Sequence, residues 1–117
     1  MFKTPILVVM GLQQRLEYAE RRSQEFDNEK QKMRDKKYDI LEISPANRTA
    51  EDQHFLDTYN LEMGIKVMLE NTWIDYQYEQ EHKPEEELAW PNEGQIEAEF
   101  RADWPRIQDI FNYDDDD

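Results

Sequence analysis

The sequence predicts an all-α domain, an antiparallel hairpin of two long helices with shorter C-terminal helices packed on it. In three segments, apolar residues recur at intervals of three and four, which is the period of one helix face. The chain has only three glycines and five prolines, too few for a turn-rich all-β protein. Its 117 residues suit one domain, which we place at 1–113, with 114–117 as a disordered acidic tail.

The first helix is predicted from about Thr4 to Lys37. Thr4 can cap it, and Pro5 suits its first position, where a helix needs no amide donor. Its seam has the three-and-four spacing of a coiled coil and comprises Val9, Leu12, Leu16, Ala19, Ser23, Phe26, Lys30 and Met33. Ser23 and Lys30 weaken that seam, which favours a hairpin within one chain over a long intermolecular zipper.

The connection between the two long helices contains one ambiguous segment. YDILEIS (Tyr38–Ser44) is compatible with a short strand and with a last helical turn, and the sequence leaves both open. Pro45 stops whatever precedes it, because proline disfavours helix in the residue before it. Thr49 then begins the second helix, which runs to about His82, and its hydroxyl can accept a hydrogen bond from the amide of Asp52.

The second helix carries two neighbouring apolar rows, which together form a wide face. One row is Leu56, Tyr59, Met63, Val67, Glu70 and Ile74; the other is Leu61, Ile65, Met68, Thr72 and Tyr76. A face of this width can contact two elements at once. We therefore expect the first helix and the third segment to pack on it side by side.

The third segment is predicted to begin after Pro84, with Glu85–Glu87 in its first turn. WPNEG (Trp90–Gly94) is predicted as a tight turn within this segment. The residues that follow it place five apolar side chains on one helical stripe: Ile96, Phe100, Trp104, Ile107 and Phe111. This stripe is the surface expected to pack on the second helix.

Pro105 interrupts that stripe, because it lacks an amide hydrogen and disrupts a helix interior. Proline is also common at the first position of a helix. A separate short helix is therefore predicted from about Pro105 to Asn112, with Asp103 or Trp104 as its cap.

Charge is the sharpest compositional signal. The chain has 28 acidic and 14 basic residues, a formal net charge of −14. Residues 1–48 have ten basic and eight acidic residues (+2), whereas residues 49–117 have four and twenty (−16). Such asymmetry indicates an interaction surface. The acidic half would repel nucleic acid and anionic membranes, which argues against direct binding to either.

Other features bear on the compartment. The chain has no cysteine, which excludes disulfides and thiolate metal sites and fits a reducing environment. The longest apolar run, Pro5–Leu12, is too short to span a bilayer, and no clear signal-peptide features surround it. We therefore expect a cytoplasmic protein, in a bacterial host cell if a phage encodes it.

The sequence offers little for catalysis or metal binding. Its only serines are Ser23 and Ser44 and its only histidines His54 and His82, and they form no recognisable nucleophile arrangement. His82 beside an acidic neighbour supplies too few ligands for a metal site. No glycine-rich phosphate loop is present. The prediction is a protein that is not an enzyme and has no cofactor.

Carboxylates recur at helical contact spacing in the acidic half. Asp75–Glu79, Glu93–Glu97 and Glu99–Asp103 are each four residues apart, which places the side-chain bases about 5–6 Å from one another on a helix. That separation is comparable with the spacing of backbone phosphates. Like charges at this spacing are unfavourable by a few tenths of a kcal/mol. Either a use as imitation phosphates or a plain solvated face would account for them.

Charge, size and predicted helicity together resemble those of small acidic DNA mimics. This class includes phage antirestriction proteins of the Ocr type, nuclease and glycosylase inhibitors, some anti-CRISPR proteins, and bacterial mimics that bind histone-like proteins. The resemblance rests on no aligned motif, so no functional residue carries over from it. It implies a non-enzymatic inhibitor that binds a basic nucleic-acid-binding protein, such as a nuclease, a restriction or CRISPR component, or a nucleoid protein.

The predicted partner-binding residues are the carboxylates of the acidic half and two aromatic residues outside the stripes. They are Asp75, Glu79, Glu85, Glu86, Glu87, Glu93, Glu97, Glu99 and Asp103, with Tyr78 and Trp90 as exposed anchors. The alternative is a helical structural or adaptor protein, such as a phage assembly factor or chaperone, that uses the N-terminal seam. The oligomeric state is left open between monomer and homodimer.

Overall fold

A computed structural model describes the backbone of residues 3–111 and the side chains of residues 11–111. Helix α1 spans Lys3–Leu41, a 3-10 turn spans Pro45–Asn47, α2 spans Ala50–His82 and α3 spans Glu93–Ile107. The first two helices pack together and α3 packs on them, mainly on α2, so the predicted all-α hairpin is confirmed. The Thr4 side chain, predicted as a cap, lies outside the described residues. The predicted tail at 114–117 lies outside them as well.

The ambiguous segment before the hairpin turn is helical. Tyr38–Leu41 forms the last turn of α1, and the residues described include no strand, so the strand alternative is wrong. The amide of Ile43 donates to the carbonyl of Ile40 at 3.0 Å. The guanidinium of Arg48 donates to the carbonyls of Ile40 and Ile43 at 3.3 and 3.1 Å. These bonds satisfy backbone carbonyls at the C-terminal end of α1. In a strand, the same carbonyls would need a neighbouring strand as their partner.

The start of α2 is a complete capping box, as the sequence predicts. The Thr49 hydroxyl accepts from the Asp52 amide, and the Asp52 carboxylate accepts from the Thr49 amide, both at 3.0 Å. Two otherwise unpaired amides are thereby satisfied, a contribution of about 1 kcal/mol. The capping box fixes where α2 begins after the turn.

The α1 seam packs against α2, and one of its two polar positions, Lys30, takes part in the contact. The seam residues Ala19 and Phe26 are buried, as is Ile40 beyond the seam. At the seam position of Lys30, the ammonium group lies 2.6 Å from the carboxylate of Glu70 on α2, with both side chains largely buried. An ion pair at one seam position specifies the register of a helix pair more strictly than another leucine would.

The predicted rows of α2 are only partly correct. The buried residues are Tyr59, Met63, Gly64, Ile65, Leu69, Trp73, Tyr76 and Gln80. Ile74 and Met68, both predicted to be core, are exposed. The core therefore passes from the first row in the N-terminal half of α2 to the second row, and then to Trp73 and Gln80, in the C-terminal half.

Helix α3 is one helix that continues through Pro105. Its start is capped by Asn92, whose side chain accepts from the amide of Gln95 at 3.1 Å. The predicted stripe is confirmed, since Phe100 is buried and the other four stripe residues pack against the core. The separate helix beginning at Pro105 is wrong. Pro105 lies only two residues from the end of α3 at Ile107, so it removes one hydrogen bond where the helix is about to stop.

The molecule is elongated. Its radius of gyration is 18.6 Å, whereas a compact domain of this length would have about 13.4 Å. Its principal dimensions are 68 × 28 × 22 Å. None of the helices described is both long and apolar enough to cross a membrane.

We expect Gly64→Ala to destabilise the protein although alanine favours helix. A methyl group there would lie 2.6 Å from Cζ and 3.0 Å from Cε1 of the buried Phe100 ring. The gain in helix propensity is about 1 kcal/mol, and overpacking is unfavourable by about 1–3 kcal/mol. Urea unfolding should show a net loss of about 1 kcal/mol. Gly11→Ala, where no atom lies within 4 Å, should show a gain instead; equal gains at both sites would contradict the close packing of α2 and α3.

Candidate functional site

The acidic turn after α2 is held in place by one buried amide side chain. Gln80 is 1% exposed. Its Nε2 donates to the carbonyls of Lys83 and Glu86 at 2.8 and 2.7 Å, and its Oε1 accepts from the Leu88 amide at 3.3 Å. Each of these backbone groups lies beyond the end of α2. Gln80 therefore folds the following residues back over the end of the hairpin.

Two further side chains complete this polar cluster. Arg15 of α1 donates through Nε to Gln80 Oε1 at 3.2 Å, donates to the carbonyl of Leu88, and lies 3.3 Å from the Glu87 carboxylate. The Tyr76 hydroxyl lies 3.2 Å from both Gln80 Oε1 and the Leu88 carbonyl. Burial raises the pKa of the Tyr76 hydroxyl further above neutral pH, where this group is already protonated and can donate.

The turn is not helical, which corrects one expectation. Glu85–Glu87 were predicted to begin the third helical segment, but α3 begins only at Glu93. The side chains of Glu85, Glu86 and Glu87 are exposed, and the backbone between them is fixed by Gln80. Three carboxylates are thus presented on a short anchored turn.

Trp90 belongs to an aromatic cluster between α1, α2 and the turn. Its ring centroid lies 4.9 Å from Tyr18, 5.7 Å from Trp73 and 5.4 Å from Tyr76. The Arg15 guanidinium lies 5.0 Å from the centroid of the Trp90 ring, in a cation–π contact. Trp90 is still 47% exposed. Trp90, predicted as an exposed anchor, therefore packs within the aromatic cluster and also leaves part of its surface accessible to a partner.

Glu93 has a structural position that the sequence prediction missed. Its carboxylate accepts two hydrogen bonds from Arg22, at 2.9 and 2.7 Å, and one from the Trp73 indole at 2.8 Å. The Glu93 hydrogen bond is the largest cause of the raised pKa of Arg22. Glu93 thus ties α1, α2 and the start of α3 together and faces inward, so it is a poor candidate for imitation charge.

A cleft of about 770 Å³ lies beside this junction and is lined by Tyr18, Trp73, Trp90 and the Arg22–Glu93 pair, among others. The charged groups of that pair already satisfy one another and the Trp73 indole. Pro91 and Asn92 complete its lining, so the cleft is of mixed polarity.

Several predicted carboxylates are paired with neighbouring cations at the surface. Glu79 lies 3.4 Å from Lys83, Glu97 lies 3.0 Å from Arg101, and Asp103 lies 3.4 Å from Arg106. Exposed pairs of this kind contribute at most about 1 kcal/mol and are screened by salt. Their carboxylates stay accessible to a stronger cationic partner.

Other carboxylates have no ion pair or hydrogen bond among the residues described: Asp75, Glu85, Glu86 and Glu99. Of the three predicted pairs at four-residue spacing, Asp75–Glu79 and Glu99–Asp103 keep both members exposed. The Glu93–Glu97 pair is broken, because Glu93 turns inward. The surface charge is therefore real but less regular than a row of phosphates.

Tyr78 is the most exposed of the predicted residues that carry a ring. Its side chain is 67% exposed, and its ring lies 4.2 Å from that of His82. It is separate from the aromatic cluster around Trp90, so the two predicted anchors lie in different surroundings.

No protein-family model, curated protein or solved structure matches this chain. The chemistry of the site therefore has to be argued from its own geometry. In the described part of the chain, no three His, Asp or Glu side chains come together as ligands for a metal ion.

Sequence reasoning missed Gln80, Arg15 and Arg22. Gln80 had a usable signal, since it follows Trp73 and Tyr76 on the buried side of α2, where a polar side chain needs a specific partner. Arg15 and Arg22 had only a weak signal, a spacing of seven that places both on one side of α1.

We expect Glu93→Gln to lower the free energy of unfolding by about 1–2 kcal/mol, because it removes the charge from the two hydrogen bonds with Arg22. The amide oxygen can still accept from the Trp73 indole. Glu97→Gln is the matched control, since Glu97 makes an exposed ion pair and should change stability by no more than about 0.5 kcal/mol. Urea unfolding followed by tryptophan fluorescence measures both. Equal effects of the two changes would rule out a clamp at Glu93.

Proposed function

We propose that this protein is a non-enzymatic inhibitor or regulator that binds a basic nucleic-acid-binding protein through its acidic C-terminal half. The observation that supports this proposal concerns the two surfaces that could bind a partner, the α1 seam and the exposed carboxylates. The apolar seam of α1 packs inside the hairpin, where its residues Ala19 and Phe26 are buried. The carboxylates Asp75, Glu85, Glu86 and Glu99 remain exposed and unpaired among the described residues.

The excess of acidic groups remains after the ion pairs of the fold are formed. Arg15, Arg22, Lys30, Lys66 and Arg101 each pair with a carboxylate from another part of the fold. Each pair neutralises one acid with one base, so the formal net charge of −14 is carried by the remaining carboxylates. A concentrated negative field attracts a basic partner and accelerates association.

The charge density of this protein is too low for its whole length to imitate a DNA duplex. A duplex 68 Å long carries about 40 phosphate charges at one per 1.7 Å. The net charge of −14 is about a third of that number. The imitation would therefore act over a local surface, and the charge distribution favours the α2–α3 end.

The adaptor alternative relied on the α1 seam as a partner-binding surface. That seam would have to leave α2 and break the Lys30–Glu70 ion pair before it could bind another protein. Mimicry requires no such opening, which is why we prefer it. It also favours the cytoplasm, where nucleic-acid-binding proteins work, and either a monomer or a homodimer could present the surface.

The test is a capture experiment from the native host at low and high salt, with captured proteins identified by mass spectrometry. We expect basic nucleic-acid-binding proteins, lost steeply as salt rises and displaced by added duplex DNA. The triple change Glu85→Lys, Glu86→Lys and Glu99→Lys should lower the affinity for a purified captured partner by at least about tenfold.

The matched control reverses three exposed carboxylates at the other end of the hairpin, Asp35→Lys, Asp39→Lys and Glu42→Lys. It changes the net charge by the same amount and should leave most of the affinity. If both triple variants bind alike, or if DNA fails to displace the partner, the proposal is wrong.

A further inference from the structure

Helix α2 has a mainly apolar row on its outer side, in which Ile74 and Tyr78 are exposed and Val67 is half-buried. Val67, Asn71, Ile74 and Tyr78 follow one another at spacings of four, three and four, so they lie along one side of the helix. We name these four residues the outer stripe. Ile74 is 45% exposed and Tyr78 is 67% exposed. Isolated exposed apolar residues are ordinary, but a row at helix-contact spacing is the pattern that another helix recognises.

The other sides of α2 make the contacts within the fold. Toward α1, Glu70 pairs with Lys30, and Trp73 packs on Tyr18. Toward α3, the ring of Phe100 fills the space that a side chain at position 64 would occupy. In residues 11–111, the ion pairs and ring contacts that join α2 to α1 and α3 do not involve the outer stripe.

Acidic residues border the outer stripe. Asp75, Glu79 and Glu81 are exposed on this part of α2. The cation beside them, Lys83, makes a loose exposed pair with Glu79 at 3.4 Å. The surface thus combines an apolar row with negative flanks, and its complement is an apolar row with positive flanks.

We propose that the outer stripe binds an amphipathic basic helix of the partner. Apolar side chains of that helix pack on Val67, Ile74 and Tyr78, while its lysines and arginines meet Asp75, Glu79 and Glu81. This inference rests on the proposed function and deepens it, since it names the contact face and adds direct apolar packing. Phosphates offer no such packing. The apolar part of this contact is therefore less sensitive to salt than the carboxylate contacts, whose screening still sets the steep salt dependence of the whole complex.

A second copy of this chain is a poorer occupant. In a pair of outer stripes packed on one another, the flanking carboxylates of the two copies would approach each other, which is unfavourable for like charges. A basic helix turns the same flanks into attractive contacts. Charge complementarity therefore selects the partner over self-association.

The test uses two designed peptides of equal charge. One is an amphipathic leucine–lysine helix, and the other has serine in place of each leucine. We expect the amphipathic peptide to bind this protein at least about tenfold more tightly, measured by calorimetry at low and at moderate salt. The double change Ile74→Ser and Tyr78→Ser should remove that advantage and leave binding of the serine–lysine peptide unchanged.

The matched control is Leu41→Ser with Ile43→Ser, two similarly exposed apolar residues at the other end of the hairpin. It should bind both peptides as the unchanged protein does. All variants are compared after circular dichroism shows equal helix content. The substitutions lie at exposed positions, so the fold is expected to persist.

Each result separates this inference from the proposed function. If the two peptides bind equally, or if neither binds at low salt, the outer stripe is not a docking site for a basic helix. If the Ile74/Tyr78 variant keeps the full advantage of the amphipathic peptide, the inference is overturned while charge mimicry stands. If the protein sediments as a dimer that the Ile74/Tyr78 variant abolishes, the occupant is a second copy. Mimicry itself is tested on the captured partner, and it fails through the charge-reversal comparison or if duplex DNA does not displace that partner.

Discussion

Replacing Phe100 with alanine is expected to release α3 from the hairpin, with a loss of about 3–5 kcal/mol of packing free energy. Phe100 is the buried residue of α3. Its ring stacks on Trp104 with centroids 5.7 Å apart, meets Phe111 at 5.4 Å, and fills the space over Gly64. Without it, α3 keeps only the partly buried stripe residues and the ion pairs of Glu93 and Arg101, which we expect to be too weak to hold the helix in place.

Hydrogen exchange measures this result directly. Amides of Glu93–Ile107 should lose protection in Phe100→Ala, while those of the α1–α2 hairpin keep most of theirs, because local units can open separately. Ile110→Ala is the control, an exposed apolar residue of the same segment that should change nothing. Equal loss of protection in all three helices would mean that the fold opens as one unit.

Gln80→Ala should have the second largest effect, a loss of about 2–4 kcal/mol. The change removes two donors from the carbonyls of Lys83 and Glu86 and one acceptor from Arg15 and Leu88. Tyr76 loses a neighbour as well. We expect the residues 83–88 to become mobile, which hydrogen exchange and limited proteolysis at this turn can detect.

Gln80→Glu refines the same prediction through pH. The introduced carboxyl group would keep one oxygen beside Arg15 and place the other against the carbonyls of Lys83 and Glu86. Because Arg15 is shared with Glu87 and the Leu88 carbonyl, we expect burial and the two carbonyls to prevail and to raise the pKa of the introduced group. Stability should therefore be higher at acidic pH, where the group is protonated, and fall as pH rises through that raised pKa. Urea unfolding across the acidic range checks this. A variant whose stability relative to the unchanged protein is independent of pH would show that Gln80 Nε2 does not hold the turn.

The parts of the fold that could be predicted from sequence are those fixed by near neighbours. The capping box joins Thr49 and Asp52, three residues apart, so its geometry follows from helix rules alone. The stripe around Phe100 has a regular period in the same way. Such features need no knowledge of which helices meet.

The site depended on contacts between distant residues, which sequence spacing does not reveal. Gln80 is 65 positions from Arg15, and Glu93 is 71 positions from Arg22. Glu93 was predicted at the surface because Glu97 follows four residues later, at the spacing expected of imitation phosphates. Its neighbours in space are instead Arg22 and Trp73. A carboxylate close to two distant cationic or donor groups is indistinguishable in sequence from a solvated one.

The misplaced rows of α2 have a geometric cause. The first row covers 18 residues in five steps, an average of 3.6, so it runs straight along α2. The buried face instead turns around the helix, from Tyr59 and Met63 to Trp73 and Gln80. Ile74 continues the first row in sequence but lies outside that buried face in space. The sequence could locate an apolar face on α2 and could not show where along the helix that face stops facing α1.

The elongated shape has a practical consequence for mass measurements. A radius of gyration of 18.6 Å is the value expected of a compact domain of about 270 residues. Gel filtration sorts molecules by hydrodynamic size, so a single 14.3 kDa chain should elute early, at the position of a globular dimer. Light scattering or sedimentation equilibrium, which report mass without assuming a sphere, is the way to count the chains in the particle.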